Sequence, residues 1–168
     1  MNRITPKQLR ILTVALSTRG FGFAVTEGRK TIIECGGRAA AGDKNAQSLV
    51  KIRKLVDFYR PGVLVLQDVT AKGSRRAPRI KLLNQQVIEE VRKRNIKVSL
   101  ISGKQLRILL LGDEKGTKQE MAEMLAKDFP DELASRLPPK RRPWTSEDCR
   151  MDIFDAVALA VAFEMSDK

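Results

Sequence analysis

The sequence predicts an α/β fold: a mixed five-stranded sheet, three antiparallel strands followed by two parallel ones, with helices on both faces. Three observations predict it. The first third of the chain holds three apolar runs joined by tight turns, the pattern of an antiparallel meander. Two later apolar runs, VLVLQD (63–68) and IKVSLI (96–101), each follow a stretch with apolar residues at helical spacing. An alanine-rich segment, RMDIFDAVALAVAF (150–163), then closes the chain as a helix able to approach a sheet closely.

The elements follow in order. After a polar lead over 1–8, LRILTVAL (9–16) reads as a buried strand. Ser17 to Gly20 turn it into FGFAV (21–25), and a turn at Gly28 leads to TIIEC (31–35). Residues 45–59 place Leu49, Ile52, Val56 and Tyr59 on one helical face, and Pro61 and Gly62 stop that helix. VLVLQD is the kind of run expected of a central strand covered on both faces. A helix over 79–94 precedes the strand at 96–101, and shorter helical stretches fall near 103–111 and 117–127. Prolines and basic residues mark 130–144 as a surface loop. Thr145 and Asp148 match the helix-start signature [ST]-x-x-[DE], so the last helix is predicted from about Ser146 to Met165. No internal repeat is visible, and residues 1–168 read as one domain.

Composition narrows the function. No apolar run approaches the ~18 residues of a membrane span, and MNRITPKQLR lacks the apolar core of a signal peptide. Cys35 and Cys149 alone give no disulfide framework, so a soluble, cytoplasmic protein with no membrane partner is expected. Lys and Arg total 32 against 20 acids, a formal charge of +12, which implies a polyanionic partner and, by default, nucleic acid. The chain has no histidine. That excludes Ser-His-Asp and Cys-His catalysis and zinc sites built on imidazole. Any metal chemistry would fall to carboxylates, which favour hard ions such as Mg²⁺ or Mn²⁺.

Candidate ligands for such ions are Asp148, Asp152 and Asp155, which share one helical face at i, i+4 and i+7. Gln67 and Asp68 end the strand at 63–68, at the carboxyl edge where sheet proteins place ligands. Acids converging from a strand end and a helix start form an oxygen cage of the kind that holds Mg²⁺, and two such ions drive in-line phosphodiester hydrolysis. The plainer reading is that acids at a helix N-terminus oppose the macrodipole.

Candidate nucleic-acid contacts come from three places. TAKGSRRAPRIK (70–81) carries Lys72, Arg75, Arg76, Arg79 and Lys81 and no acid. PPKRRPW (138–144) joins Lys140, Arg141 and Arg142 to the single tryptophan, Trp144, which is either a stacking platform for a base or a packing anchor. Ser17, Thr18 and Arg19 follow the first strand, where a hydroxyl and a guanidinium could hold a phosphate without metal. The charges at 113–120 read as solvated surface.

Together, the strand order, VLVLQDVTAKG, the hairpin STRGFGFAV and the closing D-x-x-D-A-x-A-L-A resemble the RuvC branch of the RNase H-like fold over roughly residues 9–165. That family comprises Holliday-junction resolvases, metal-dependent endonucleases that act as dimers on branched DNA. The resemblance implies that its last-helix acid pair falls on Asp152 and Asp155. Its strand-four glutamate falls on Gln67, with Asp68 next, and its first aspartate falls on Ala15. Two of four acids are replaced, so the implied site lacks two charges and should hold Mg²⁺ poorly. The expectation is a homodimeric, junction-resolvase-type protein that binds branched DNA through an impaired metal site. The alternatives are an active Mg²⁺- or Mn²⁺-dependent endonuclease using Asp68, Asp152 and Asp155 with Asp148, an inactivated form of such an enzyme, or a protein-binding module.

Overall fold

The computed structural model describes residues 9–28, 31–71 and 75–166. Within them a five-stranded sheet has the order β3-β2-β1-β4-β5. Strands β1 (Arg10–Leu16), β2 (Gly20–Glu27) and β3 (Ile32–Ala39) form the antiparallel meander. Strands β4 (Val63–Gln67) and β5 (Lys97–Ile101) add in parallel beside β1. Helix α1 (Lys44–Tyr59) connects β3 to β4, and α2 (Pro78–Arg92) connects β4 to β5. After β5 come α3 (Gly103–Leu111), α4 (Lys118–Asp128), the short α5 (Pro130–Leu133) and the terminal α6 (Met151–Ser166).

Strand alternation sorts the core into two layers. Leu12, Val14 and Leu16 of β1, with Leu64 and Leu66 of β4, point to one face. There they meet Ile52 and Val56 of α1 and Ile80, Leu83 and Val87 of α2. Ile11 and Ala15, with Val63 and Val65, point to the other face and meet Phe154, Ala156 and Val157 of α6, backed by Leu106, Met121 and Leu125. Helix α6 is buried almost all round, which its apolar composition requires.

Two contacts fix where α6 lies on the sheet. Thr13 Oγ1 donates to the Ala156 carbonyl at 2.7 Å, across a fully buried interface. Gly22 on β2 lies so close to the first turn of α6 that a Cβ built there would stand 1.9 Å from the Asp152 carbonyl oxygen. Only glycine permits that approach.

The expected elements form, with three differences. Strand β3 runs on to Ala39, because Gly36 and Gly37 continue the pairing with Phe23 and Gly22. The segment 130–144 is not loop throughout: Pro130 starts α5, and Leu133 seals the core beneath it. Helix α6 begins at Met151, five residues beyond the expected start at Ser146. The helix-start signature is spent on a preceding turn, where the Thr145 hydroxyl donates to the Arg142 carbonyl and the Asp148 carboxylate accepts from Arg150.

Candidate functional site

The carboxyl ends of β1 and β4 are neighbours, since Val14 lies opposite Leu66 in the parallel register. Ala15 and Gln67 follow, each one residue on, still paired with Gly22 and Ile101 in the last rungs of their strands' ladders. The first turn of α6 covers this end. Asp152 is 5% exposed, and both of its oxygens are engaged: Ser17 Oγ donates to one at 2.8 Å and Arg19 Nη2 to the other at 2.9 Å. The same Ser17 hydroxyl accepts from the Arg19 backbone N–H, so the β1–β2 turn is tied to α6 by its own two polar residues.

One helical turn on, Asp155 leans toward α4. Lys118, the first residue of α4, places its ammonium 3.2 Å from Asp155 Oδ2 and 3.0 Å from Glu147 Oε1. Glu147 also faces Arg19 at 3.6 Å, so the two ion pairs form one network. On the β4 side, Arg76 spans the strand ends, with Nη1 donating to the Leu16 carbonyl at 3.2 Å and Nη2 to Gln67 Oε1 at 2.8 Å. A rim surrounds these groups. Lys44 Nζ and Arg79 Nη2 both donate to the Thr18 carbonyl, and Arg79 is held by Asn45.

Electrostatics follow from this arrangement. Burial raises the Asp155 carboxyl above its ordinary range, and the nearby ammonium of Lys118 offsets only part of that. For Lys118, burial opposes the charged form, but the pull of Asp155 and Glu147 prevails and its pKa rises. Glu147 goes the opposite way: burial would raise it, yet Lys118 and Arg19 hold it below its usual range. Arg19 is likewise shifted up, because Asp152 and Glu147 outweigh the cost of its partial burial.

Two predicted ligands stand outside this network. Asp68 follows Gln67 and therefore turns away from it; its carboxylate accepts from the Thr70 backbone N–H at 3.0 Å and the Thr70 hydroxyl at 2.7 Å, closing a local turn. Asp148 precedes α6 rather than sharing its face, and its carboxylate accepts from Arg150 Nε at 3.0 Å and Nη2 at 2.8 Å. The i, i+4, i+7 stripe therefore reduces to Asp152 and Asp155. Among the described residues, no group of three or more His, Cys, Asp or Glu side chains is placed to hold a metal ion.

The Arg150 contact holds the Asp148 carboxyl down to about 2. An acid lowered on folding stabilises above its ordinary pKa of ~3.9 and loses that contribution as pH falls toward the folded value. In acid unfolding followed by circular dichroism, Asp148→Asn is expected to lose less stability than the parent between about pH 4 and pH 2. The effect should be small, because the pair is solvent-screened.

The predicted nucleic-acid residues divide as well. Arg75, Lys81, Lys140, Arg141 and Arg142 are exposed, whereas Arg76 is pinned at the strand ends and Lys72 lies outside the described residues. Trp144 is 76% exposed with the Arg142 guanidinium 5.7 Å from its ring centre, so it is not a packing anchor. Beside it runs a groove of about 730 Å³ lined by Lys118, Lys140, Arg141, Arg142 and Glu147. Lys118 is exposed, as the sequence pattern expects, but it also carries a contact that pattern does not show. Read there as solvated surface, it reaches Asp155 because α4 packs across α6, which no local spacing reveals.

No protein-family model matches the sequence, and no curated protein matches it either. Solved structures do. RuvC of Thermus thermophilus superposes with a TM-score of 0.69 at 13% identity, covering 95% of each chain. The same protein in complex with a Holliday-junction substrate gives 0.68. The yeast mitochondrial Holliday junction resolvase Ydc2 gives 0.64 at 13% identity, over 95% of this chain and 79% of that one. Fowlpox virus resolvase, bound to Holliday junction DNA, gives 0.58 at 14% identity, over 93% and 99%. With its five-stranded mixed sheet and helices on both faces, the chain has the RuvC-type, RNase H-like fold.

Proposed function

We propose that the protein binds branched DNA as a homodimer on a resolvase-type scaffold, and that it cleaves poorly or not at all. The observation that carries this reading is the group of cations about the ends of β1 and β4: Lys44 and Arg79 bond to Thr18, Arg76 to Leu16 and Gln67, and Arg19 and Lys118 to acids at the start of α6. Structural likeness to proteins solved with Holliday junction DNA supports the choice of nucleic acid. A net charge of +12 makes association salt-dependent through counterion release.

The donor set argues against a resident pair of divalent ions. Affinity for Mg²⁺ rests on ligand charge, and Ala15 supplies a methyl group where the resemblance calls for a carboxylate. Gln67 supplies a neutral amide, already bonded to Arg76. The two retained carboxylates are ion-paired to Arg19 and Lys118. No hydrolytic step is therefore assigned to a metal here.

The test is a gel-shift titration of four-way junctions against linear duplex, with parallel cleavage assays in Mg²⁺ and Mn²⁺. Preferential shift of the junction without cutting is expected. Retention of both Asp152 and Asp155 favours the second reading, an active endonuclease, and efficient metal-dependent cutting abolished by Asp155→Asn would establish it instead. A junction that fails to shift at physiological salt refutes both.

A further inference from the structure

We propose that Arg19, Arg76 and Lys118 form a built-in cationic clamp that contacts backbone phosphates of the bound nucleic acid with no divalent ion. This deepens the branched-DNA reading and rests on it. Three cations arrive from three different elements: the β1–β2 turn, the loop after β4, and the start of α4. Each docks on a different position of the ligand set that the family resemblance implies. Arg19 meets Asp152 at 2.9 Å, Arg76 meets Gln67 at 2.8 Å, and Lys118 meets Asp155 at 3.2 Å. The fourth position, Ala15, has no polar atom to offer and is 6% exposed.

Cationic donors are thus supplied at the strand ends by side chains rather than by ions, their charge balanced there by Asp152, Asp155 and Glu147. The cations face Asp152, Asp155 and Glu147, which fix their positions but do not enclose them. Arg19 and Lys118 keep 34% and 46% of their side chains exposed, and Arg76 is half-buried. Guanidinium groups carry five donors each; Arg19 bonds to Asp152 and to the Glu147 carbonyl with its Nε buried, and Arg76 bonds to Gln67 and Leu16, which leaves the remaining Nη hydrogens for a phosphate oxygen. Lys44 and Arg79, on the rim at Thr18, make the mouth of the cleft net positive. A phosphate entering there meets pre-positioned donors whose acidic partners hold them in place, at little cost in side-chain entropy.

The discriminating experiment measures four-way-junction affinity in EDTA across a salt series. It compares the parent with Arg76→Gln, Lys118→Gln and the double variant Arg19→Gln/Asp152→Asn. The double variant is chosen because it removes one charge of each sign and leaves no carboxylate unpaired; thermal melts confirm that each protein is folded. The parent is expected to bind equally well with and without Mg²⁺. Each variant should lose about fivefold or more in affinity, and the slope of log affinity against log salt should fall by about one unit per lost phosphate contact. Folded variants that keep the parent's affinity and slope overturn the clamp while branched-DNA binding stands. A parent that binds junctions only after Mg²⁺ or Mn²⁺ is added overturns it too. A parent that shifts no junction under any condition removes the functional reading itself, and the clamp with it.

Discussion

Replacing Gly22 by alanine is expected to cost more than about 4 kcal/mol and leave little folded protein at ambient temperature. The reason is geometric. A Cβ at this position would sit 1.9 Å from the Asp152 carbonyl oxygen and 2.2 Å from its carbon. Both are backbone atoms in the first turn of a helix that is buried along most of its length, so no rotamer change relieves the clash. The helix must lift off β2. That would break the Thr13–Ala156 hydrogen bond and open the core around Phe154, which is 2% exposed. Gly37, the cross-strand neighbour of Gly22, is the control. A Cβ there meets nothing closer than 3.9 Å, so Gly37→Ala should be nearly neutral by chemical denaturation. Should Gly22→Ala unfold at the parent's midpoint, the seating of α6 on β2 would be wrong, and the placement of Asp152 with it.

That seating also explains what the sequence could and could not reveal. The resemblance to the RuvC branch singles out Ala15 and Gln67, and the parallel pairing of β1 with β4 makes their strand ends neighbours. Period-two alternation turned Asp68 away, and Thr70 then captured it. Asp148 falls outside the α6 face because the helix-start signature is a local hydrogen-bond pattern, and here a turn closed by Arg150 uses those groups first. Lys118 was legible as exposed surface but not as the partner of Asp155. It lies 37 residues before Asp155, and only the packing of α4 on α6 joins them. Arg76 was legible as a basic residue near the site, but not as the link between the β1 and β4 ends. Charges brought together by tertiary packing leave no spacing signal, and these are the ones that define the chemistry of the cleft.

Removing Arg19 is the second large effect expected. Asp152 has an almost buried carboxylate whose charge is met by one guanidinium and one hydroxyl. Truncating one partner of a buried ion pair costs ~3–5 kcal/mol, because the remaining charge stays desolvated. The Arg19 side chain keeps 34% exposure, so water can partly replace it, and Arg19→Ala should cost about 2–3 kcal/mol. Asp152→Asn should cost less, since the amide oxygen still accepts from Ser17 and no buried charge remains. Combining the two substitutions is then expected to recover part of the loss caused by Arg19→Ala alone, a coupling of about 1–2 kcal/mol in a double-mutant cycle of urea denaturation. Strict additivity would mean that Arg19 and Asp152 do not act as a pair. In that case the guanidinium would hold its place through Glu147 alone, and α6 would have to present Asp152 to the cleft without the cation that now neutralises it.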